Sequence, residues 1–348
     1  MYNMESINNL DVLIDWLGFT FFSFSNPYDV LHYLGFIESD FTVSNGSYGY
    51  KSSLRHNIYP ITILYDGTEN MGIHVNISGS GFSVALDAYI NSLKEMSPWG
   101  TYCFEYREEG YLISYLRYLN ENVKFTRIDL SIDDKGCNYF SVDDVLNICN
   151  DGRCSTRFRS FRSERECSFN GCVTGNTLYI GKRSSECFLR IYDKKLEQKS
   201  KLNNDVGYEW VRWELELKKN RAQAVVDHLL AGNCLGFVAV GILSNYFRIV
   251  ICDDSNKTRC STDPLWSKFI SGVEKLRLFV NRVSKTISEK KNWIIKQCLP
   301  TISAVCYFEH GDLGFILDHL SDALYRNSKS VLDIVFKENN VLMNSCFL

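Results

Sequence analysis

FTRIDLSIDD at residues 125–134 and WVRWELELK at residues 210–218 share one construction, an apolar residue alternating with a polar or charged one. Side chains of a β-strand point alternately to opposite faces. In the first stretch Ile128, Leu130 and Ile132 therefore take one face, and Arg127, Asp129, Ser131 and Asp133 the other. In the second, Val211, Trp213, Leu215 and Leu217 oppose Arg212, Glu214 and Glu216. Each strand presents an arginine and two acids on its polar side. Alone, either is readable as the half-exposed face of a strand with an ion pair. If the two strands converge, their carboxylates make an oxygen-rich surface that is expensive to bury without a cation.

Working outward, VLIDWLGFTFFSF at 12–24 reads as a further strand, followed by a Ser-Asn-Pro turn and a short helix over 30–35. Residues 47–66 read as hairpin strands and GIHVNISGSG at 72–81 as a strand ending in a glycine turn. In FSVALDAYINSLKEM at 82–96 the apolar spacing shifts to the helical period. A helix is expected over 142–150, two strands in TLYIG (177–181) and FLRIYDKK (188–195) joined by KRSSEC, and a helix in RAQAVVDHLLAG (221–232). From about Leu265 the texture is helical: WSKFISGVEKLRLFVNRV (266–283), KTISEKKNWIIKQCLPTISAVC (285–306) and GFILDHLSDALYRNSKSVLDIVF (314–336). The expectation is an α+β fold in which helices pack on an antiparallel or mixed sheet over residues 1–255. A C-terminal helical lobe over 256–348 follows the polar stretch CDDSNKTRCSTD.

The chain has 348 residues, 45% hydrophobic and 23% charged, enough for a sizeable core. Its thirteen cysteines include no CxxC pair, which predicts reduced thiols rather than a disulfide framework. No apolar run approaches the roughly eighteen residues of a membrane span, and the N-terminus lacks a signal-peptide pattern. A cytoplasmic protein without a membrane role is expected. There is no GxxxxGK[ST] loop, no GxGxxG after a strand, no HExxH and no zinc-type cysteine pairing, and GSGFS at 79–83 lacks the GxSxG order. The net charge of −3 excludes coating of nucleic acid by bulk charge but leaves room for a local basic surface.

Such a surface is offered by RCSTRFRSFRSER, where Arg153, Arg157, Arg159, Arg162 and Arg165 face one acid, Glu164, and interleave with Phe158 and Phe161. That mixture holds phosphates and stacks on unpaired bases, or else is a solvated loop. LRIYDKKLEQ places Tyr192 between Arg190 and the pair Lys194 and Lys195. A phenol titrates near 10, so it attacks a phosphodiester only where cations and a base favour the phenolate. Asp129 and Asp133 are roughly 13 Å apart along a strand, so one magnesium or manganese ion takes only one of them, with further ligands from elsewhere. His74 shares a strand face with Asn76 and Ser78 and is a candidate ligand or a hydrogen-bonded structural residue.

Taken in order, IDWLGFTF (14–21), GIHVNISGSG, FTRIDLSIDD, GNTLYIGKRSSECFLRIYDKKLEQ (175–198), WVRWELEL and WSKFI (266–270) resemble the replication initiation factor (Rep_trans) family. That family serves rolling-circle plasmids, filamentous phages and integrative conjugative elements. The resemblance spans roughly 12–280. It implies a Rep/relaxase-like fold and a rolling-circle replication initiator that nicks and rejoins one strand at an origin through a 5′-phosphotyrosyl link, leaving a 3′-hydroxyl. A conjugative-element relaxase with the same chemistry is the alternative, and a non-catalytic DNA-binding regulator or an interaction protein are the further ones. In that picture Tyr192 is the nucleophile, with Tyr179 its rival, and Lys194 or Lys195 assists it. Asp129 and Glu214 are the leading ligands of a divalent metal, Mn or Mg, with Asp133, Glu216 and His74 behind them. Arg127, Arg190 and Arg212 clamp the DNA backbone, and Arg153, Arg157, Arg159 and Arg162 with the helical lobe read the origin. DNA that is single-stranded at the nick is the implied partner, with a host helicase and a second copy of the chain. The paired histidines of many other tyrosine nickases are absent, which puts the metal on the carboxylates. The chain starts its first strand almost at once, which favours the initiator over the relaxase.

Overall fold

The computed structural model describes residues 10–96, 108–202, 206–270 and 299–312, with a few positions at 291–295 and 314–320. Its strands are β1 (Leu10–Phe21), β2 (Phe41–Asn45), β3 (Ser52–His56), β4 (Ile61–Tyr65), β5 (Ile73–Ser78), β6 (Val123–Lys135), β7 (Cys154–Thr156), β8 (Phe161–Cys167), β9 (Val173–Ile180), β10 (Cys187–Asp193), β11 (Trp210–Lys218) and β12 (Phe247–Ile249). The helices are α1 (Pro27–Tyr33), α2 (Ser80–Met96), α3 (Glu108–Asn120), α4 (Val142–Asn150), α5 (Lys194–Leu202), α6 (Asn220–Leu230), α7 (Leu235–Tyr246), α8 (Pro264–Ile270) and α9 (Leu299–Phe308). Ten strands form one sheet in the order β2-β3-β4-β5-β1-β6-β11-β10-β9-β8, and β7 pairs with β12. Every pairing in it is antiparallel, so the α+β expectation resolves to an antiparallel rather than a mixed sheet.

The alternation read from the sequence decides which face is which. Ile128, Leu130 and Ile132 of β6 and Trp213, Leu215 and Leu217 of β11 are at most 1% exposed and belong to one continuous core. Helices α2, α3, α6 and α7 pack against the central strands, and α4 against β9 and β10. Residues from α2, α3, α4, α6 and α7 join the core with those six strand residues. Helix α4 is anchored at its start by a reciprocal cap: Asp144 N donates to Ser141 Oγ at 3.1 Å and Ser141 N to Asp144 Oδ2 at 2.9 Å. Asn176 Nδ2 then donates to Asp143 Oδ1 at 3.0 Å, tying the helix to β9.

The chain divides into two compact units, 1–280 and 281–348. The expected division at 255/256 differs because α8 is amphipathic toward the first unit's core: Trp266 and Phe269 are buried, and their rings lie 5.7 and 5.1 Å from that of Trp213. In the second unit the described helix α9 overlaps the end of the helical stretch anticipated for 285–306 and runs two residues beyond it. The remaining anticipated helices over 271–298 and 321–336 lie almost entirely outside the described residues. Several elements escaped the sequence pattern, among them the three-residue strands β7 and β12 and helix α5. Strand β2 is short and polar, α3 follows a segment without clear periodicity, α7 is apolar all round, and β8 carries charge on both faces as the edge of the sheet. Among the described residues every cysteine is free; Cys149, Cys187 and Cys260 are buried, whereas Cys167, Cys172 and Cys252 are exposed. No helix among the described residues is long and apolar enough to cross a membrane.

Because Trp266 closes the aromatic cluster around Trp213, Trp266→Ala is expected to lower stability by about 3–5 kcal/mol, the range for deleting a buried aromatic. A urea titration followed by tryptophan fluorescence measures it.

Candidate functional site

Register brings the polar residues of four strands together. Across β6 and β11, Asp129 lies opposite Glu216, Ser131 opposite Glu214, and Asp133 opposite Arg212. Across β10 and β11, Arg190 lies opposite Glu214 and Tyr192 opposite Arg212. On the other side Trp16 of β1 faces Asp129. The two motifs, about 80 residues apart in the chain, are thus adjacent strands at the middle of the sheet, and the tyrosine strand lies next to them.

The four carboxylates are nearly inaccessible, at 1% for Asp129, 2% for Asp133, 3% for Glu214 and 4% for Glu216. Buried carboxylates need ionic partners, and the arginines supply them. Arg127 Nε and Nη2 donate to the two oxygens of Asp129 at 2.9 and 2.5 Å, and Nη2 also lies 2.9 Å from Glu216 Oε2. Arg190 Nη2 donates to both oxygens of Glu214 at 2.6 and 2.7 Å. Arg212 forks onto Asp133 at 2.6 and 2.8 Å and reaches Asp15 Oδ1 with its third nitrogen at 2.6 Å. Lys218 pairs with Glu216. The Arg127 guanidinium is stacked 4.2 Å from the centre of the Trp16 ring. Gly18 permits that approach, since a Cβ there would lie 3.3 Å from Arg127 Cβ and 3.2 Å from Asn76 Oδ1.

Tyr192 is 5% exposed. Its hydroxyl donates to Glu214 Oε2 at 3.3 Å and lies 3.5 Å from Lys194 Nζ, which also pairs with Glu197 at 2.5 Å. The Arg190 guanidinium lies 4.9 Å from the ring centre. Burial pushes the phenol pKa up, the Arg212 charge opposes this, and Glu214 adds to it. The hydroxyl is therefore protonated at neutral pH, and Glu214 is the carboxylate that accepts its hydrogen bond. Lys195 turns away to Glu209 at 2.6 Å.

All the donors between β6 and β11 are oxygens, which suits a hard divalent cation. Two observations mark incomplete stabilisation of the polar groups there. Burial, offset in part by Arg127 and reinforced by Glu214 and Glu216, raises Asp129 to about 7. Ser131 Oγ, opposite Glu214, is buried without a hydrogen-bond partner. The residues thus fit such an ion chemically. Among the described residues no three acidic, histidine or cysteine side chains converge in ligand geometry.

Of the other expected site residues, His74 lies on the same sheet face but toward its β5 side, where Nδ1 is hydrogen-bonded to Thr20 Oγ1 at 2.9 Å, and burial lowers its pKa. Tyr179 of β9 lies opposite Arg190 and so shares the face with Tyr192. The arginine-rich stretch is split. Arg153 precedes β7 and pairs with Asp151 at 3.3 Å, Arg157 lies 5.8 Å from the Tyr246 ring centre, Arg159 is exposed between strands, and Arg162 and Arg165 lie on β8. Sequence reasoning missed Asp15, Trp16 and Lys218. The signal for Asp15 is an acid interrupting an apolar strand, and it accepts its bond at a bulge between Ile14 and Trp16.

The model of the replication initiation factor family matches residues 123–320. A protein of Bacillus subtilis (strain 168) that carries the name DNA relaxase NicK is 31% identical over 318 residues, covering 88% of this chain and 83% of that relative. The solved structure of a rolling circle replication initiator protein from Geobacillus stearothermophilus superposes with a TM-score of 0.62 at 27% identity, over 78% of this chain and 99% of that one.

A carboxyl raised from 3.8 to about 7 binds more protons in the folded than in the unfolded chain between those values, so it takes stability away as pH rises through that window. In buffer free of divalent ions, stability is expected to fall from about pH 4 to about pH 7 by a contribution that Asp129→Asn removes. Denaturation midpoints of the two proteins across that range test it, and parallel curves would show that Asp129 titrates normally.

Proposed function

The chain belongs to the replication initiation factor family, and from that premise we propose that it nicks and rejoins one strand of DNA at an origin, with Tyr192 as nucleophile. The observation that carries this reading is the Tyr192 hydroxyl itself, which donates to Glu214 Oε2 and accepts from Lys194 Nζ. Glu214 accepts the phenol proton as the tyrosine oxygen attacks the scissile phosphorus. The phosphorus–O3′ bond breaks, the departing O3′ takes up a proton from solvent, and a 3′-hydroxyl strand and a 5′-phosphotyrosyl link remain. Lys194 and Arg190 hold the charge that gathers on the phosphate oxygens. Because one phosphodiester replaces another, the reverse attack by a 3′-hydroxyl rejoins the strand.

Asp129 and Glu216, with Glu214 beside them, would hold magnesium or manganese, while Asp133 is committed to Arg212. The ion when bound polarises the scissile phosphate as a Lewis acid. Arg127 and Arg212 keep the carboxylates oriented and lie where the flanking backbone would pass. DNA single-stranded at the nick is the substrate, and Arg153, Arg157, Arg159 and Arg162 add phosphate contacts from the β7–β8 region. A host helicase, a second copy of the chain and a cytoplasmic setting belong to the same proposal and rest on the family. The name of the Bacillus subtilis relative favours a second context, the relaxase of a conjugative element, with identical chemistry at Tyr192. A non-catalytic regulator is disfavoured by the intact pairing of phenol, carboxylate and ammonium.

On single-stranded origin DNA with manganese, Tyr192→Phe is expected to lose both cleavage and the covalent protein–DNA adduct. Tyr179→Phe keeps both, and Glu214→Gln is slowed by about 10²–10⁴-fold, the usual worth of a general base. An adduct retained in Tyr192→Phe and lost in Tyr179→Phe would move the nucleophile to Tyr179. Chelation of divalent ions is expected to stop cleavage. Replacing Arg153, Arg157, Arg159, Arg162 and Arg165 with alanine is expected to reduce the slope of log affinity against log salt by about 0.7–0.9 per lost phosphate contact; an unchanged slope removes them from the interface.

A further inference from the structure

Beside the site, on the outer strands of the same sheet face, lies a pocket of about 280 Å³ lined by Arg162, Tyr179, Gly181, Lys182, Arg183 and Phe188. Its composition differs from the carboxylate lattice next to it. The rings of Tyr179 and Phe188 are stacked, with centroids 6.0 Å apart and planes 20° from parallel. The Arg162 guanidinium lies 4.7 Å from the Tyr179 ring centre. Among the described residues its one ion pair is with Glu164 at 3.4 Å, and Arg162 is 71% exposed, so it can move off the ring. Lys182 and Arg183 are exposed at the rim. Gly181, at φ +93°, leaves the rim turn without a side chain, since a Cβ there would strike Phe158 at 2.6 Å.

The pocket is contiguous with the nucleophile. Tyr179 lies opposite Arg190, and the Arg190 guanidinium lies against the ring of Tyr192. Two residues along a strand and one strand across put the Tyr179 and Tyr192 backbones roughly 8 Å apart, about two rises of a stacked nucleotide at ~3.4 Å each. An aromatic pair under a planar cation, ringed by cations, has the chemistry that accepts an unpaired base with its phosphate. Arg162 covers the ring as a guanidinium does, and a base that enters exchanges that contact for a larger stack.

Resting on the nicking reading for the path of the strand, we infer that this pocket receives one unpaired nucleobase flanking the scissile phosphate. The base stacks on Tyr179, whose ring the buried Phe188 backs, and Lys182 and Arg183 hold its backbone. Tyr179 is then a positioning residue: it fixes which phosphodiester lies at Tyr192, and it forms no covalent bond. Stacking carries little base preference, so the pocket sets register along the strand rather than sequence.

The test uses the full chain and single-stranded oligonucleotides that carry 5-iododeoxyuridine in place of thymidine, photo-crosslinked and mapped by peptide mass spectrometry, with affinity read by fluorescence anisotropy. The expected result is a crosslink in the peptide carrying Tyr179 or Phe188. Tyr179→Ala should bind roughly tenfold to a hundredfold more weakly, the worth of one base–aromatic stack. Tyr179→Phe, which keeps the ring, should stay within about twofold of the wild type. Unchanged urea midpoints in both variants separate this loss from a folding defect. Crosslinks confined to other peptides, or an affinity unaltered by Tyr179→Ala, overturn the proposal. The readout needs no cleavage, so it is separable from the nickase reading. A crosslink at Tyr179 in a protein that forms no adduct at Tyr192 upholds the pocket and sinks the nickase. An adduct at Tyr192 without the crosslink does the reverse.

Discussion

The lattice of arginines and carboxylates on the polar face of β6, β10 and β11 is the constraint on which the rest of the molecule depends. Removing a carboxylate from water costs several kcal/mol unless a well-placed cation replaces the lost hydration. Here Asp129, Asp133, Glu214 and Glu216 are all buried, and each is met by an arginine from its own strand or a neighbouring one. Such pairing tolerates no slip. A shift of one residue would turn Trp213 and Leu215 toward the charges and the charges toward the helices. The polar face and the apolar face therefore enforce the same register from opposite sides.

That arrangement also gives the sheet two functions at once. Helices α2, α3, α6 and α7 consume the apolar face and fix the strands as a rigid floor. The reactive groups then stand on central strands rather than on loops, which holds a nucleophile and its base in one geometry. The unequal charge of the lattice is informative in the same way. Arg127 is shared between Asp129 and Glu216, and Asp129 titrates far above its usual range in consequence of burial beside other acids.

Much of this was legible in the sequence because period-two alternation is strong in residues 125–134 and 210–218, and it predicted both strands, their faces and the acids that share them. What the pattern does not contain is pairing. Nothing in the spacing says that Glu216 lies opposite Asp129 or that Tyr192 meets Glu214, because those contacts join residues far apart in the chain through register alone. The same limit explains Asp15, whose role arises from Arg212 reaching across two strands. The edge strand β8 was hidden for a different reason: with one side open, charge is tolerated on both of its faces, and alternation disappears. Helix α7 lacks a polar stripe because it is buried all round, so it shows no helical period.

The two tyrosines illustrate how environment rather than residue type divides labour on this face. Tyr192 and Tyr179 occur on adjacent strands, face the same way and were rivals for one role in the sequence. Tyr192 has its hydroxyl on a carboxylate and an ammonium, the partners that a phenol needs to surrender its proton at the moment of attack. Tyr179 presents its ring instead, stacked on Phe188 beneath a loosely held guanidinium, and among the described residues no carboxylate accepts from its hydroxyl. On the proposed reading the Tyr179 ring is a platform for a base once Arg162 moves aside, and the Tyr192 hydroxyl, between a carboxylate and an ammonium, is the nucleophile. Placing the two about two nucleotides apart on one rigid sheet would convert stacking at the first into a choice of bond at the second, which is how a protein that reads little sequence at its reactive centre can still cut at one position.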